Sequence, residues 1–233
     1  MDIGKSFRFV FDDKDWATKL LLGLLVSIVP ILNLAWNGYL VQLVRNVSED
    51  VEFPLPEWSD FGDKFVKGLI LFLAVILYAL PVVIVVIVMG LGGLATGLST
   101  DGNITDTVAS IFAGVGILLG CLIVIYFLAL TFYLPAVYVH FSRVGTFGSC
   151  FEIGKIFNLI SANIGEYLTA WIVSLLFGLV LGVIASVVFS ILLVIVCIGW
   201  ILAVVLWGFL AVWPTAVIAH MFGQIGGLKP ALE

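Results

Sequence analysis

The sequence predicts an all-α fold, a polytopic helical membrane bundle, and three observations lead to it. Of the 233 residues, 63% are hydrophobic and only 11% are charged, whereas an ordinary soluble domain is about 45–50% apolar and about 25% charged. The charged residues leave four uninterrupted apolar stretches, at 20–44, 68–100, 107–142 and 167–228. The stretch at 68–100 does not alternate polar and apolar residues, as a strand of a membrane barrel would.

The three later stretches predict two long transmembrane hairpins. About 20 apolar residues cross a bilayer as a helix, so 68–100 and 107–142 each hold one crossing and 167–228 holds two, with a turn near 196–200. The loop at 101–106 contains no Lys or Arg. Because basic residues are retained on the cytoplasmic side, we expect this loop to be external and both chain termini to be cytoplasmic.

The first stretch, 20–44, allows a single kinked crossing or a helical hairpin that folds back near Pro30. A single crossing leaves four of the ten basic residues outside, whereas a fold-back keeps all ten inside. Pro30 disfavours helix at Val29, and Asn33 accepts turn conformations and can cap a new helix. Limbs of 17–29 and 34–46 reach only about 20 Å, so we predict a re-entrant or partial hairpin shielded by other helices.

Stretches that mix aromatic and charged residues precede each hairpin and predict interfacial amphipathic helices. They read FVFDDKDW, LPEWSDFGDKF and FEIGKIFNLISANIGEYLTAW. In the second, Pro56 suits a first helical turn, and Trp58, Phe61, Phe65 and Leu69 recur at helical spacing. We therefore predict one membrane domain, 1–233, made of an interfacial segment with a short hairpin (1–47) and two interfacial helices with hairpins (54–144 and 146–228).

Three GxxxG pairs lie in the apolar stretches and predict close helix contacts. They are Gly93 with Gly97, Gly116 with Gly120, and Gly178 with Gly182. Contacts within the bundle and a homo-oligomer face both remain open for these pairs.

The N-terminal third resembles the prokaryotic membrane-protein family called domain of unknown function 4013. The resemblance is sharp over about residues 7–69 and consists of Asp-x-x-Trp, a Pro and a Gly-Tyr in the first apolar segment, and Pro-Glu-Trp before the next. In this sequence these are Asp13 and Trp16, Pro30, Gly38 and Tyr39, and Pro56, Glu57 and Trp58. The resemblance implies a bacterial or archaeal multi-pass membrane protein, and it implies no reaction.

Candidate binding residues are the polar and aromatic side chains of the expected cytoplasmic face and of the fold-back. They are Asp13, Trp16, Asn33, Asn37, Tyr39, Trp58, His140 and His220. Both histidines fall near cytoplasmic helix ends, where they can meet Asp12, Asp13, Asp15 or Glu57 in a metal or acid–base site. An interfacial histidine bonded to a headgroup or a carbonyl is the alternative.

Several kinds of chemistry find no support in the sequence. No GxSxG motif or metal-ligand spacing is present, so we assign no catalytic residue, metal or cofactor. No Asp, Glu, Lys or Arg lies deep in a crossing, which argues against ion-coupled transport. The net charge of −5 argues against nucleic acid as a partner.

These observations favour a non-enzymatic protein of the cell membrane, acting as a scaffold, an accessory subunit or a lipid-interacting component of a membrane assembly. Expected partners are membrane lipids and a membrane protein or a second copy of the chain. A transporter or channel for a neutral solute, with Asn33 and Asn37 along the path, is one alternative. A membrane-embedded lipid-modifying enzyme that uses His140 or His220 is another.

Overall fold

The structure is a computed structural model, and it describes residues 1–97, 102–195 and 198–227. Within these ranges the chain is entirely helical, apart from loops and turns, and a 3₁₀ turn covers Phe147–Phe151. The helices are α1 (Ile3–Asp12), α2 (Trp16–Ile28), α3 (Asn33–Ser48), α4 (Phe61–Gly97), α5 (Gly102–Val144), α6 (Ile153–Ala162), α7 (Ile164–Val194) and α8 (Ile198–Gly227). The predicted all-α fold class is confirmed.

Four of the described helices are long and apolar enough to cross a membrane, as the two predicted hairpins require. The candidate spans are Phe61–Leu94, Gly114–Val144, Ile164–Leu192 and Leu202–Gly227. Helix α7 ends at Val194 and α8 begins at Ile198, in agreement with the predicted turn, although residues 196–197 lie outside the described ranges. Residues 98–101, which include the start of the predicted external loop, and the terminal Lys229 also lie outside them.

The first apolar stretch folds back on itself. Helix α2 has 13 residues and α3 has 16, and the turn between them holds Ile31 at φ 74°. A Cβ at Gly23 of α2 would lie 2.6 Å from the Trp36 ring of α3, so the two limbs are in direct contact. The predicted limbs differ from these helices by no more than two residues at each end.

Two of the three predicted interfacial helices are present in the structure. Helix α1 buries Ser6, Phe9 and Val10 on one face, and α6 is a second short helix that buries Ile156 and Ile160. The predicted helical turn at Pro56 is wrong, because residues 51–60 form no helix and α4 begins only at Phe61. The side chains of Glu57 and Trp58 are engaged by α2 and α3 instead, and these contacts hold the segment in an irregular conformation.

The core is formed largely by α3 and the second half of α8. These contact each other from Trp36 and Thr215 to Ser48 and Gly226. Residues with at most 1% exposure occur on both helices: Ala35, Tyr39, Leu43 and Val44 on α3, and Ala216, Val217, Met221 and Ile225 on α8. Glycine permits the approach at the end of α8, since a Cβ at Gly223 would lie 2.8 Å from the Cβ of Val47.

A pair of glycines brings α3 and α4 into backbone contact. A Cβ on Gly38 would overlap the carbonyl oxygen of Lys64, and a Cβ on Gly68 would overlap the carbonyl oxygen of Leu34. The two contacts are reciprocal and lie one helical turn apart on each helix, which defines an antiparallel crossing. Only glycine allows helix backbones to approach this closely.

The pairs Gly116/Gly120 and Gly178/Gly182 do not make the expected helix contacts within the part of the bundle that the structure describes. Among the described residues, nothing lies within 4 Å of a Cβ built on Gly93, Gly120, Gly178 or Gly182, and a Cβ on Gly116 meets the methyl group of Met89 at 3.3 Å. The side-chain position of Gly97 lies outside the described residues. The spacing identifies a face of small residues but does not determine whether another helix lies opposite that face.

Contacts group the chain into two compact units. The first is Met1–Phe72 with Pro135–Glu233, and the second is Leu73–Leu134. In the second unit the Tyr126 hydroxyl donates to the carbonyl of Tyr78 at 2.7 Å, and the Tyr78 and Tyr133 rings meet edge to face. All eight candidate site residues lie in the first unit; the prediction of a single membrane domain stays a prediction.

Candidate functional site: polar clusters at the helix ends

A buried ion cluster joins Asp13, Lys19 and Glu57. The Lys19 ammonium donates to Asp13 Oδ2 at 2.8 Å and to the carbonyl of Leu55 at 3.1 Å, and it lies 2.7 Å from Glu57 Oε1. Three acceptors match the three N–H bonds of an ammonium group. The side chains of Lys19 and Asp13 are 8% and 6% exposed, whereas that of Glu57 is 70% exposed. The pair of Lys19 with Asp13 is therefore the part of the cluster that water screens least.

The turn between α1 and α2 places Asp13 close to Lys19. Asp13 follows the end of α1, and its Oδ1 accepts the backbone N–H of Asp15 at 2.8 Å, which turns the chain into α2. Burial, the largest influence, lowers the pKa of Lys19, but the hydrogen bonds and charges of Asp13 and Glu57 together raise this pKa above its ordinary value of 10.5. The ammonium group therefore stays charged in its buried position.

An aromatic stack of Trp36, Tyr39 and Trp58 lies against the ion cluster. The Tyr39 ring centroid is 4.9 Å from that of Trp36 and 4.8 Å from that of Trp58. The Trp58 indole N–H donates to the carbonyl of Lys19 at 2.9 Å, and the Trp36 indole N–H donates to the Thr215 hydroxyl at 3.1 Å. The predicted site residues Asp13, Tyr39 and Trp58 are thus brought together, and the stack links α2, α3, α8 and the segment before α4.

The hydroxyl group of Tyr39 is buried and has no hydrogen-bond partner within the described ranges. Burial raises the pKa of this hydroxyl, and the negative charges of Asp13 and Glu57 raise it further. Tyr39 therefore stays neutral and acts in the stack through its ring.

Trp16 lies apart from this stack. Its ring meets Phe11 edge to face at 5.1 Å. It also lines an apolar cavity of about 240 Å³ between α2 and α8, together with Leu20, Phe209 and Trp213.

The two asparagines of the fold-back have different surroundings. Asn33 begins α3, and its side-chain amide donates to the carbonyl of Ser27 at 3.2 Å while its backbone N–H donates to the carbonyl of Val29 at 3.1 Å. Both carbonyls belong to the last turn of α2, where a helix leaves acceptors unsatisfied. Asn37 is half-buried one turn further along α3. The direct role of Asn33 is therefore to close the turn.

His140 meets Glu152 and not one of the acidic residues expected from sequence. Its Nε2 lies 2.6 Å from Glu152 Oε2, and Lys155 Nζ lies 3.0 Å from the other oxygen of the same carboxylate. The hydrogen bond with His140, followed by the one with Lys155, lowers the pKa of Glu152. This cluster links the end of α5 to the start of α6.

His220 also has a partner that the sequence did not suggest. The Ser6 hydroxyl lies 2.9 Å from His220 Nδ1, Gln224 Nε2 lies 3.1 Å from the same atom, and the Phe9 ring stacks on the imidazole at 4.1 Å. His220 is only 2% exposed. The contact fastens α1 to the end of α8.

Both histidines thus perform the same task. Each lies about one and a half turns after a proline within a long helix, at Pro135 and Pro214, and each bonds to a residue of an interfacial element. The residues that sequence reasoning missed are the partners Ser6, Lys19, Glu152 and Gln224. The residue types of these partners did not predict their contacts with the site. The spacing of five and six residues from proline to histidine did mark the two histidines as comparable.

The two histidines are not neighbours of Asp13 or Glu57, so the proposed metal or acid–base grouping does not form. Across residues 1–97, 102–195 and 198–227, no three His, Cys, Asp or Glu side chains are grouped closely enough to hold a metal ion.

The comparisons with known proteins agree with the resemblance seen in the sequence. A family model described as "Protein of unknown function (DUF4013)" matches residues 21–190. The match begins after Asp13 and Trp16, which belong to the stretch quoted for the resemblance, and it extends far beyond residue 69. No curated protein and no solved structure matches the chain.

Proposed function

Because the chain belongs to the family of proteins of unknown function DUF4013, which carries no reaction with it, we propose a function from the polar clusters alone. We propose a non-enzymatic multi-pass protein of a prokaryotic cell membrane that serves as a lipid-interacting scaffold or accessory component. Its N- and C-termini lie on the cytoplasmic side in this proposal.

One observation carries the proposal: each of three interfacial elements is tied by a polar cluster to an apolar helix of the bundle. Ser6 of α1 bonds to His220, Glu57 of the segment before α4 pairs with Lys19, and Glu152 before α6 pairs with His140. Clusters of this kind fix the position of otherwise loose amphipathic segments. A fixed polar surface at the membrane boundary is suited to holding lipid headgroups or a partner subunit.

The charge distribution supports the proposed orientation. The fold-back keeps Lys5, Arg8, Lys14 and Lys19 on the same side as Arg45, in the region where basic residues are retained during insertion. This side is then the cytoplasmic one, and the surface formed by α1, the segment 51–60 and α6 faces the cytoplasmic headgroups.

Retention of lipid by the purified protein tests the proposal. Full-length protein is reconstituted into nanodiscs of mixed phospholipids, released into mild detergent and examined by native mass spectrometry. We expect one or more phospholipids to remain bound at a defined stoichiometry, and we expect Glu152→Gln to reduce the number retained because it loosens α6. The matched control is Glu49→Gln, which removes an exposed carboxylate paired only with Arg45 on the same helix.

Two parallel assays separate the proposal from its alternatives. Solute flux into proteoliposomes that falls with Asn37→Leu would support a transporter, and lipid conversion that disappears with His140→Ala would support an enzyme. Protein that retains no lipid and has no partner in mild detergent would contradict the proposal.

A further inference from the structure

A polar cavity lies where the first turn of α1, the end of α8 and the loop after α3 meet. Its volume is about 320 Å³, and its walls include Asp2, Lys5, Asp50, Val51, His220 and Gln224. This is at the lower end of the roughly 300–1,000 Å³ typical of small-molecule sites. We call it the His220 cavity.

Gln224 and Ser6 surround the Nδ1 atom of His220. The backbone N–H of Asp2 donates to Gln224 Oε1 at 2.6 Å, which fixes the orientation of the Gln224 amide and assigns its other terminal atom as the donor Nε2. This donor lies 3.1 Å from His220 Nδ1. The same nitrogen also lies 3.0 Å from the carbonyl oxygen of Asp2 and 2.9 Å from the Ser6 hydroxyl, and its two hydrogens serve two of these three acceptors. When one hydrogen points to His220, Nδ1 accepts it and the imidazole proton is on Nε2.

In this tautomer the Nε2–H group of His220 is a hydrogen-bond donor. No hydrogen-bond partner for Nε2 occurs in the part of the chain that the structure describes, although the residue is 2% exposed and lines the cavity. Stacking on Phe9 and the two contacts at Nδ1 hold the ring in place. A ligand or a water molecule in the cavity can accept its hydrogen bond.

Two side chains of opposite charge in the cavity also lack an ion-pair partner among the described residues. Neither the Lys5 ammonium nor the Asp50 carboxylate takes part in an ion pair or a side-chain hydrogen bond within residues 1–97, 102–195 and 198–227. By contrast, Asp2 Oδ1 already accepts the backbone N–H of Lys5 at 2.9 Å, as a helix cap. Lys5 and His220 thus offer a cation and a donor to an anion, and Asp50 offers a carboxylate to a cation.

Asp50 occupies a backbone position that favours glycine. Its φ is 55°, and the bonds from Asp50 N to Val47 O and from Val51 N to Asn46 O form the Schellman turn that ends α3. Glycine would adopt this conformation without steric cost. Aspartate is one of the non-glycine residues that enter this region most readily, so Asp50 fits the turn at a small steric cost.

We propose that the His220 cavity binds a phosphoethanolamine group, either as the headgroup of phosphatidylethanolamine or as the free soluble ester. The phosphate accepts from the Lys5 ammonium and from His220 Nε2–H, and the primary ammonium donates to Asp50. The assignment rests on the proposed lipid-interacting function and names the lipid class. It requires a zwitterion, because a purely anionic headgroup would place its charge against Asp50 and a trimethylated ammonium has no N–H to donate.

Competition between two lipids that differ only in the ammonium group tests the proposal. Full-length protein is reconstituted into nanodiscs that contain phosphatidylethanolamine and phosphatidylcholine with identical acyl chains, and the lipid retained after mild detergent release is measured by native mass spectrometry. We expect phosphatidylethanolamine to be enriched about tenfold, as the loss of one charge-assisted hydrogen bond implies. Soluble phosphoethanolamine is then added. If it displaces the lipid, the phosphoethanolamine group alone is sufficient for binding to the cavity. If it does not, binding requires the whole diacyl lipid.

Two variants assign the effect to the cavity. Asp50→Gly is expected to abolish the enrichment while leaving the melting temperature unchanged or higher, because glycine relieves the left-handed turn. Lys5→Gln is expected to lower retention of both lipids and to preserve their ratio, because both share the phosphate. Asp60→Asn, an exposed acidic residue outside the cavity, is the matched control and should leave the enrichment intact.

Three results would overturn the proposal in distinguishable ways. Equal retention of the two lipids by the wild type rejects the phosphoethanolamine assignment and leaves the lipid-interacting function standing. Enrichment that survives Asp50→Gly places the selectivity outside the His220 cavity and rejects the site. Absence of any retained lipid, together with no binding of soluble phosphoethanolamine, rejects both the site and the proposed function.

Discussion

The ammonium group of Lys19 is surrounded by three oxygen atoms, of which only those of Asp13 and Leu55 are well shielded from water. Removing the lysine would leave the Asp13 carboxylate buried, with the Asp15 N–H as its remaining described partner. A buried charge that has lost its counter-ion is strongly destabilising, far more so than a broken ion pair on the surface.

We expect Lys19→Met to lower the free energy of unfolding by about 3–5 kcal/mol. Lys67→Met is the matched control, since Lys67 forms an exposed pair with Asp63 one turn away and should change stability by less than about 0.5 kcal/mol. Unfolding in mixed micelles with increasing denaturing detergent measures both. Equal effects of the two substitutions would show that the ion cluster is not a stabilising element.

Alkaline pH should weaken the same cluster. The folded pKa of Lys19 lies above the ordinary value of 10.5, so folding favours the protonated amine. Its contribution to stability is complete below about pH 10.5 and is lost as the pH rises through the raised folded pKa. We expect the melting temperature to fall in this window, and to fall less steeply in Lys19→Met.

Tyr39 requires its own control in that titration. Its raised pKa also favours the protonated form in the folded protein, so deprotonation of Tyr39 lowers stability in the same direction. Tyr39→Phe removes this contribution and leaves that of Lys19. In the Tyr39→Phe background, the melting temperature is measured against pH with Lys19 present and with Lys19→Met. If it falls equally in both proteins, the role given to Lys19 is contradicted.

Sequence reasoning identified several residues of the site but not their partners. Asp13, Tyr39 and Trp58 were selected individually, and the structure brings them together. The contact of His220 with Ser6 joins residues 214 positions apart, and Lys19 reaches Leu55 across 36 positions. Helical periodicity relates residues three or four apart, so it carries no information about such pairs.

At the scale of helices, the crossing of α3 and α4 is determined by two glycines that belong to no GxxxG pair. Each faces a backbone carbonyl of the other helix, at Lys64 and Leu34, so the helices are in contact without intervening side chains. A methyl group at either position must push the backbones apart, because a carbonyl oxygen cannot rotate away as a side chain can.

We expect Gly38→Ala to destabilise the protein by about 3 kcal/mol, the upper part of the range for overpacking. Gly178→Ala is the matched control: no described residue lies within 4 Å of the new methyl group, so stability should change by no more than about 1 kcal/mol, in the stabilising direction. Thermal unfolding in detergent measures both. A large loss of stability or of an oligomer in Gly178→Ala would instead identify a contact between copies of the chain at that face.

The fold-back was predictable from the sequence, whereas the glycine contacts were not. Pro30 and Asn33 give local chemistry for a turn, and the positions of basic residues across the whole chain favour two limbs over one crossing. The GxxxG pairs failed as predictors because spacing reports only how small a helix face is. Gly38 and Gly68 are the glycines in backbone contact, and they occur singly in the sequence.

At the scale of the whole molecule, the four candidate spans and the fold-back together lead to one orientation of the chain. The four spans return the end of α8 to the side where α4 begins, and the fold-back returns the end of α3 to the side of α1. The family match, 21–190, covers most of the hairpin of α2 and α3 and the first three of the four candidate spans almost completely.

Single cysteines test this orientation. In a background without native cysteines, we expect Lys5→Cys, Glu49→Cys and Lys155→Cys to be labelled by a membrane-impermeant maleimide only in inverted vesicles, and Asn103→Cys only in intact cells. The three inner positions are exposed polar side chains outside the candidate spans. Labelling of position 5 in intact cells would contradict the orientation.

The short hairpin of α2 and α3 has a consequence for the bilayer around it. A helix of 13 residues rises about 20 Å, against a hydrocarbon thickness of about 30 Å. An element that enters from one side and turns at Ile31 displaces lipid mainly from that leaflet and little from the opposite one. Its lateral area therefore differs between the two leaflets, and a bilayer that curves toward the opposite side accommodates this difference at lower elastic cost than a flat one.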